Sequence, residues 1–198
     1  MLDRAVRRRI GPGLDRVAGP LHARGVRPGQ VTLAGLAIGV GACVALALQA
    51  YAIALALWLV NRALDGLDGA LARRRGPTDL GGMLDFLADF VVYGGFVLAL
   101  GIARPDARVA GLALLAAYLL NNVALLSYAS IVERRGVEGG DERSLRFTPA
   151  LTEGTETIAA YSLICVLPQH AATIAWTFCA LVMVSVVQRV ALARRELR

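Results

Sequence analysis

The stretch Asn61 to Phe90, NRALDGLDGALARRRGPTDLGGMLDFLADF, places four aspartates, Asp65, Asp68, Asp85 and Asp89, inside or beside apolar segments. An ionisable side chain at membrane depth is costly, and where one persists it normally serves function. On a helix, positions three, four, seven and eight apart share a face, so Asp65, Asp68, Gly69, Ala72 and Arg73 project together. Gly76-Pro77 forces a turn, and Thr78 or Asp79 suits the cap of the next helix. That helix presents Gly81, Asp85 and Asp89 on successive turns, and an antiparallel arrangement brings the two acidic faces together.

Converging carboxylates repel unless cations sit among them. A donor set made only of oxygens points to a hard divalent ion, magnesium or manganese, with room for two. Such ions beside a membrane commonly serve phosphate or pyrophosphate chemistry, because they neutralise substrate oxygens and the leaving group. Gly69 and Ala72 leave space for a ligand to approach the helix backbone, and Arg73 offers a bidentate phosphate donor.

Working outward, the rest of the chain reads as housing for this stretch. Its 198 residues suit one domain over residues 1–198, and 57% apolar content with a mean hydropathy of +0.58 marks a membrane protein. All 21 basic residues are arginines. They cluster at the ends of apolar runs, which assigns them to topology and lipid headgroups and not to nucleic acid. Cys43, Cys165 and Cys179 stand singly in apolar runs and read as packing residues. Residues 1–27 alternate arginines with Val6, Ile10, Leu14, Val17 and Leu21 at helical spacing, which predicts an amphipathic helix lying in the membrane interface. Gly11, Pro12, Gly13, Gly19 and Pro20 keep a solvated basic tail open as the alternative, and no continuous apolar core of a cleavable signal is evident there.

Apolar runs beginning near Gln30, Tyr51, Asp79, Val109, Thr155 and Ala171 predict an all-α, six-helix transmembrane bundle over residues 28–198. The charged segment from Glu133 to Thr148 reads as its longest loop. Arginine placement puts both termini and the aspartates on the cytoplasmic side, with Arg104 and Arg108 as an exception beside Asp106.

The pattern Asp65-x2-Asp68-Gly69-x2-Ala72-Arg73-x7-Gly81-x3-Asp85-x3-Asp89 fixes eight residues in a window of 25 and resembles the signature of the CDP-alcohol phosphotransferase family at every defining position. The resemblance implies transfer of a phosphatidyl group from a CDP-alcohol, usually CDP-diacylglycerol, to an acceptor hydroxyl, with release of CMP. It implies that Asp65, Asp68 and Asp85 hold the metals, and that Asp89 shares the metal site and is the general base. Gly69, Ala72 and Arg73 would line the CDP pocket, and Gly81 would permit close helix approach. Pro28, Gln30 and Thr32 match the family's first-helix motif loosely and extend the nucleotide contacts to Gln30 and Thr32. A cytoplasmic-membrane location, a homodimer and close helix packing at Gly94 and Gly95 are further implications.

The acceptor, a small polar or phosphorylated alcohol, is not specified by this window. Arg134 and Arg143 are candidates for an acceptor phosphate or markers of topology, and Glu153 and Glu156 for acceptor hydrogen bonds or helix capping. Asn121, Asn122 and Ser127 read as bonds between helices. The aspartates could instead pair with Arg62, Arg73, Arg74 and Arg75 for topology alone, but four acids with glycines at these spacings disfavour that. The competing functions are an intramembrane prenyltransferase, which would not supply Asp-Gly-x2-Ala-Arg, and a divalent-cation carrier, which would need acids along a path through the membrane.

Overall fold

The computed structural model describes residues 2–135 and 154–197. Among them there are seven α-helices and no strand: α1 (Leu2–Ala23), α2 (Pro28–Ala47), α3 (Tyr51–Arg75), α4 (Asp79–Ala103), α5 (Arg108–Arg134), α6 (Gly154–Val166) and α7 (Ala171–Glu196). Short 3-10 turns at Pro105–Ala107 and Pro168–His170 lead into α5 and α7.

The boundaries follow local chemistry. Pro28 opens α2, where its missing N–H is no loss, and the Gln30 side chain accepts a bond from the Arg27 N–H at 2.9 Å. Helix α3 stops at Gly76, whose φ of +93° suits a residue without a Cβ. Thr78 then caps α4, its hydroxyl accepting from the Gly81 N–H at 3.1 Å. Gln30 thus serves the helix start. Gly81 is exposed, and the atom nearest a Cβ placed there is Thr78 Oγ1 at 2.8 Å, so it serves the cap and not a helix approach.

Four of the helical segments, Pro28–Ala47, Asp79–Ala103, Pro105–Arg134 and Pro168–Glu196, are long and apolar enough to cross a membrane. The other two expected spans differ for identifiable reasons. Helix α3 is apolar only up to Val60, after which it carries Arg62, Asp65, Asp68 and three terminal arginines. The 13 described residues of α6 reach about 20 Å at 1.5 Å per residue, short of the roughly 30 Å of hydrocarbon.

Helix α2 packs on both α3 and α4, and α5 packs on α7. An aromatic group from α3, α4 and α6 fills the centre, with Trp58, Phe96 and Tyr161 fully buried and the Phe96 and Tyr161 rings stacked at 4.3 Å. Tight contacts hold α2 against this centre: a Cβ on Gly39 would lie 2.5 Å from Val92 Cγ2 and 2.9 Å from Asn61 Nδ2. Val92 is stiff at χ1, so Gly39→Ala is expected to destabilise the protein by about 1–3 kcal/mol through overpacking. Thermal unfolding in detergent, compared with Gly41→Ala, where the nearest atom is 3.5 Å from the new Cβ, measures this. Gly95 packs on Cys43 Sγ, 3.2 Å from its own would-be Cβ, whereas Gly94 has only Leu115 at 4.0 Å. All three cysteines are free, with Cys165 and Cys179 buried.

The N-terminal segment is a helix through Pro12 and Pro20 and lies on α3, so the solvated-tail alternative does not hold. Leu14 fills the notch at Gly66, where a Cβ would be 2.8 Å from Leu14 Cδ1, and Ala18 is fully buried. Arg74 donates to the Asp15 carbonyl at 3.0 Å, and Arg75 reaches the carbonyls of Gly25 and Val26. The arginines after the motif therefore tie α1 to the helix that carries the aspartates.

Candidate active site

The turn at Gly76 and Pro77 sets α3 and α4 so that their acidic faces meet, as the spacing predicts. One oxygen each from Asp65, Asp68 and Asp85 lies within 4.8 Å of the others. They line an open cleft together with Thr32, Gly35, Leu36, Asn61, Arg62, Ala88 and Asp89. Asp68 is the most enclosed of the three, 4% exposed, and Thr32 donates to its Oδ2 at 2.8 Å. Thr32 thus reaches the site, as expected, and what it touches there is a carboxylate.

Asp89 does not belong to the group of three. Arg62 Nη2 donates to Asp89 Oδ1 at 2.8 Å, and Arg62 Nη1 stands 3.7 Å from Asp65 Oδ2. The same guanidinium donates through Nε to Asn61 Oδ1 and through Nη1 to the Tyr93 hydroxyl, both at 2.8 Å. It lies 4.9 Å from the Trp58 ring centre and 5.0 Å from that of Tyr93. From the sequence alone Arg62 reads as a topology partner of the aspartates. Its position three residues before Asp65, hence on the same helix face, was the signal that it enters the cavity.

Arg73 is exposed at the end of α3, and its Nη1 lies 3.6 Å from the position a Cβ on Gly69 would take. The half-buried Gly69 and Ala72 leave a shallow strip of backbone beside a charged donor. Arg134 is exposed in the last turn of α5 and Glu156 lies half-buried in the first turn of α6; neither lines the cavity. Arg143 and Glu153 lie outside the described residues.

A second polar group went unread in the sequence. Arg189, 6% exposed in α7, donates through Nε to Asn121 Oδ1 of α5 at 3.2 Å. The pair confirms Asn121 as a bond between helices; an arginine within the apolar run after Val187 was the available signal.

The three-aspartate group fits a hard divalent ion. All donors are carboxylate oxygens, and the three side chains converge within 4.8 Å, which is the donor chemistry a hard cation such as magnesium requires.

The model of the family described as CDP-alcohol phosphatidyltransferase matches residues 26–188. The chain belongs to this family. As a CDP-alcohol phosphotransferase it acts in phospholipid synthesis, and the motif residues identified above fall inside the matched region. The transferase is 42% identical over 196 residues to "Inner membrane protein YnjF" of Escherichia coli, covering 96% of this chain and 94% of that protein. It is 33% identical over 121 residues to an archaetidylinositol phosphate synthase of Pyrococcus horikoshii, covering 59% of this chain and 63% of that one. Among solved structures, the Mycobacterium tuberculosis phosphatidylinositol phosphate synthase with CDP-DAG bound has the same fold, with a TM-score of 0.69 at 20% identity over 90% of this chain and 92% of that one. A structure of the same synthase with manganese and citrate superposes equally well, covering 90% of this chain and 87% of its own.

Proposed function

We propose that this transferase moves the phosphatidyl group of CDP-diacylglycerol to the hydroxyl of a phosphorylated alcohol, releasing CMP, with a divalent ion on Asp65, Asp68 and Asp85. The observation that carries this reading is the convergence of those three carboxylates, within 4.8 Å, beside the strip formed by Gly69, Ala72 and Arg73. The donor assignment is supported by the fold shared with a synthase whose structure contains CDP-DAG, and the metal by that synthase's manganese-bound form. Magnesium or manganese would neutralise the pyrophosphate and the departing CMP. Arg73 would hold a phosphate of the donor in bidentate fashion. Asp89, oriented by Arg62 and lining the cavity, would take the acceptor proton.

The acceptor class is supported by two relatives, both named as inositol phosphate lipid synthases, and by the arginine-bearing segment around Arg134, Arg143 and Arg146. The same reading places the chain in the inner membrane as a six-helix bundle with cytoplasmic termini and site, α1 in the interface, and a homodimeric assembly. Its orientation is supported by the far turn, where Arg104 is neutralised by a two-point bond to Asp106, both contacts at 2.9 Å.

Purified protein incubated with CDP-diacylglycerol and a panel of acceptors separates the acceptor classes. A lipid product with inositol phosphate or glycerol phosphate, and none with serine or free inositol, is the expected result; product only with an unphosphorylated alcohol overturns the acceptor assignment. Arg73→Lys keeps the charge but loses the fork, and is expected to lower kcat/KM for the donor by roughly 10–100-fold, the worth of a charged hydrogen bond. Initial rates against donor concentration measure it.

A further inference from the structure

The acidic half of α3 rests on a small core of its own. Ala18 of α1, Val31 of α2 and Leu67, Ala70 and Leu71 of α3 form a buried cluster separate from the aromatic centre, and Leu14 packs against it. Among the described residues, α4, which carries Asp85, contributes none to that cluster. Resting on the metal site of the proposed function, we infer that Leu14 of α1 is a positioning residue: seated against Gly66, it fixes where α3 presents Asp65 and Asp68 to Asp85.

The seat lies directly beside the ligands. Gly66 stands between the two α3 aspartates in sequence, at a position the motif leaves open. A Cβ there would lie 2.8 Å from Leu14 Cδ1, 3.8 Å from Cδ2 and 3.9 Å from Cγ, so the branched end of the leucine covers the bare backbone. Leu14 and Ala18 are four apart and share a face of α1, which sets the seat next to a fully buried residue. About two turns further along α3, Arg74 donates to the Asp15 carbonyl, and its Nη1 stands 3.7 Å from a would-be Cβ on Gly19. Helix α1 is thus held on α3 at two points.

On another flank α3 meets α2, where Thr32 donates to Asp68 and a Cβ on Gly35 would lie 3.5 Å from Leu64 Cβ. The acidic half of α3 is therefore gripped between α1 and α2. A close-packed contact answers a change in side-chain volume by shifting its neighbours. Emptying or overfilling the seat at Gly66 moves α3 against α2, and with it Asp65 and Asp68 relative to Asp85. Val17, 52% exposed on α1, offers an apolar side chain of the same helix outside this seat.

The test measures Mn2+ affinity of the purified full-length chain in lipid nanodiscs, from the paramagnetic resonance signal of the free ion, alongside thermal unfolding. Leu14→Ala is expected to weaken Mn2+ binding about tenfold, the low end of what residues that orient metal ligands contribute. Leu14→Met refills the seat with an adaptable apolar chain and is expected to stay within about threefold of wild type. Gly66→Ala is expected to weaken binding as Leu14→Ala does, yet without lowering the unfolding midpoint, because alanine favours the helix. A loss of stability alone does not produce that pair of results. Adding Leu14→Ala to Gly66→Ala removes the clash and is expected to recover most of the affinity, while Val17→Ala leaves it unchanged. Wild-type affinity in both Leu14→Ala and Gly66→Ala, an equal loss in Val17→Ala, or a double variant no better than Gly66→Ala would overturn the inference and leave the proposed function standing. A wild type that binds no Mn2+ would overturn both. If Leu14→Ala does not fold, Gly66→Ala and the double variant decide.

Discussion

Asp68→Asn is expected to abolish metal binding and to lower CMP release by about a thousandfold or more, with the fold unchanged. The carboxylate is 4% exposed and faces Asp65 and Asp85, so it is the ligand least able to be replaced by solvent. An amide has the same shape and still accepts the Thr32 bond, which is why stability is expected to survive. It lacks the negative charge that makes three oxygens a site for a hard cation. A metal that stabilises the developing charge on a phosphoryl group contributes several kcal/mol to the transition state, and each 1.36 kcal/mol is a factor of about ten. Comparison of CMP release with Mn2+ binding and thermal unfolding in one preparation checks all three parts. A variant that binds no ion yet turns over normally would remove the metal from the mechanism.

Asp89→Asn is expected to separate binding from chemistry. The variant should retain affinity for CDP-diacylglycerol and lose phosphatidyl transfer by roughly 10²–10⁴-fold, the range that a positioned general base supplies. The geometry supports this split because Asp89 lines the cavity but stands outside the three-carboxylate group. Arg62 holds Oδ1 at 2.8 Å, which fixes the direction in which the carboxylate points. A catalytic group held by an enclosed partner gains in orientation what it loses in freedom. Arg62→Lys tests that point, since a lysine keeps a charge near Asp89 without the planar fork and should lower kcat more than it raises the donor KM. Near-normal CMP release by Asp89→Asn would refute the base assignment.

The parts of this site that the sequence made legible are those fixed by local periodicity. Asp65 and Asp68 share a face because they are three apart, and Gly76-Pro77 folds α4 back so that Asp85 meets them. Neither conclusion needs the surrounding bundle. Arg62 illustrates what periodicity leaves open. Its place on the same face as Asp65 was readable, but its choice of Asp89 over Asp65, Asp68 or Asp85 depends on how far α4 is rotated against α3. That rotation is set by Val92 against Gly39 and by the Trp58 and Tyr93 rings, contacts between segments distant in sequence.

The helix starts show a related limit. The resemblance makes Gln30 a nucleotide contact and Gly81 a point of close helix approach, and the structure uses both at helix starts. A polar residue in the first turn satisfies otherwise unpaired backbone groups, and that local demand was visible in the sequence beside Pro28 and Thr78. The arginines Arg74 and Arg75 likewise looked like topology markers, and their direct bonds to the carbonyls of Asp15, Gly25 and Val26 depend on α1 packing back over α3. Among the described residues six helices follow α1, as expected, and four helical segments carry enough continuous apolar length, because α3 surrenders its second half to the site and the 13 described residues of α6 are too short.

The most direct measurement is CMP release by the purified transferase from CDP-diacylglycerol, with inositol phosphate or glycerol phosphate as acceptor, while Mn2+ is titrated in and then removed with excess chelator. CMP that appears only when both metal and acceptor are present, stops on chelation and resumes when Mn2+ is restored is the predicted result. A folded preparation that releases CMP at the same rate in excess chelator, or that releases none with any alcohol at any metal concentration, would contradict it.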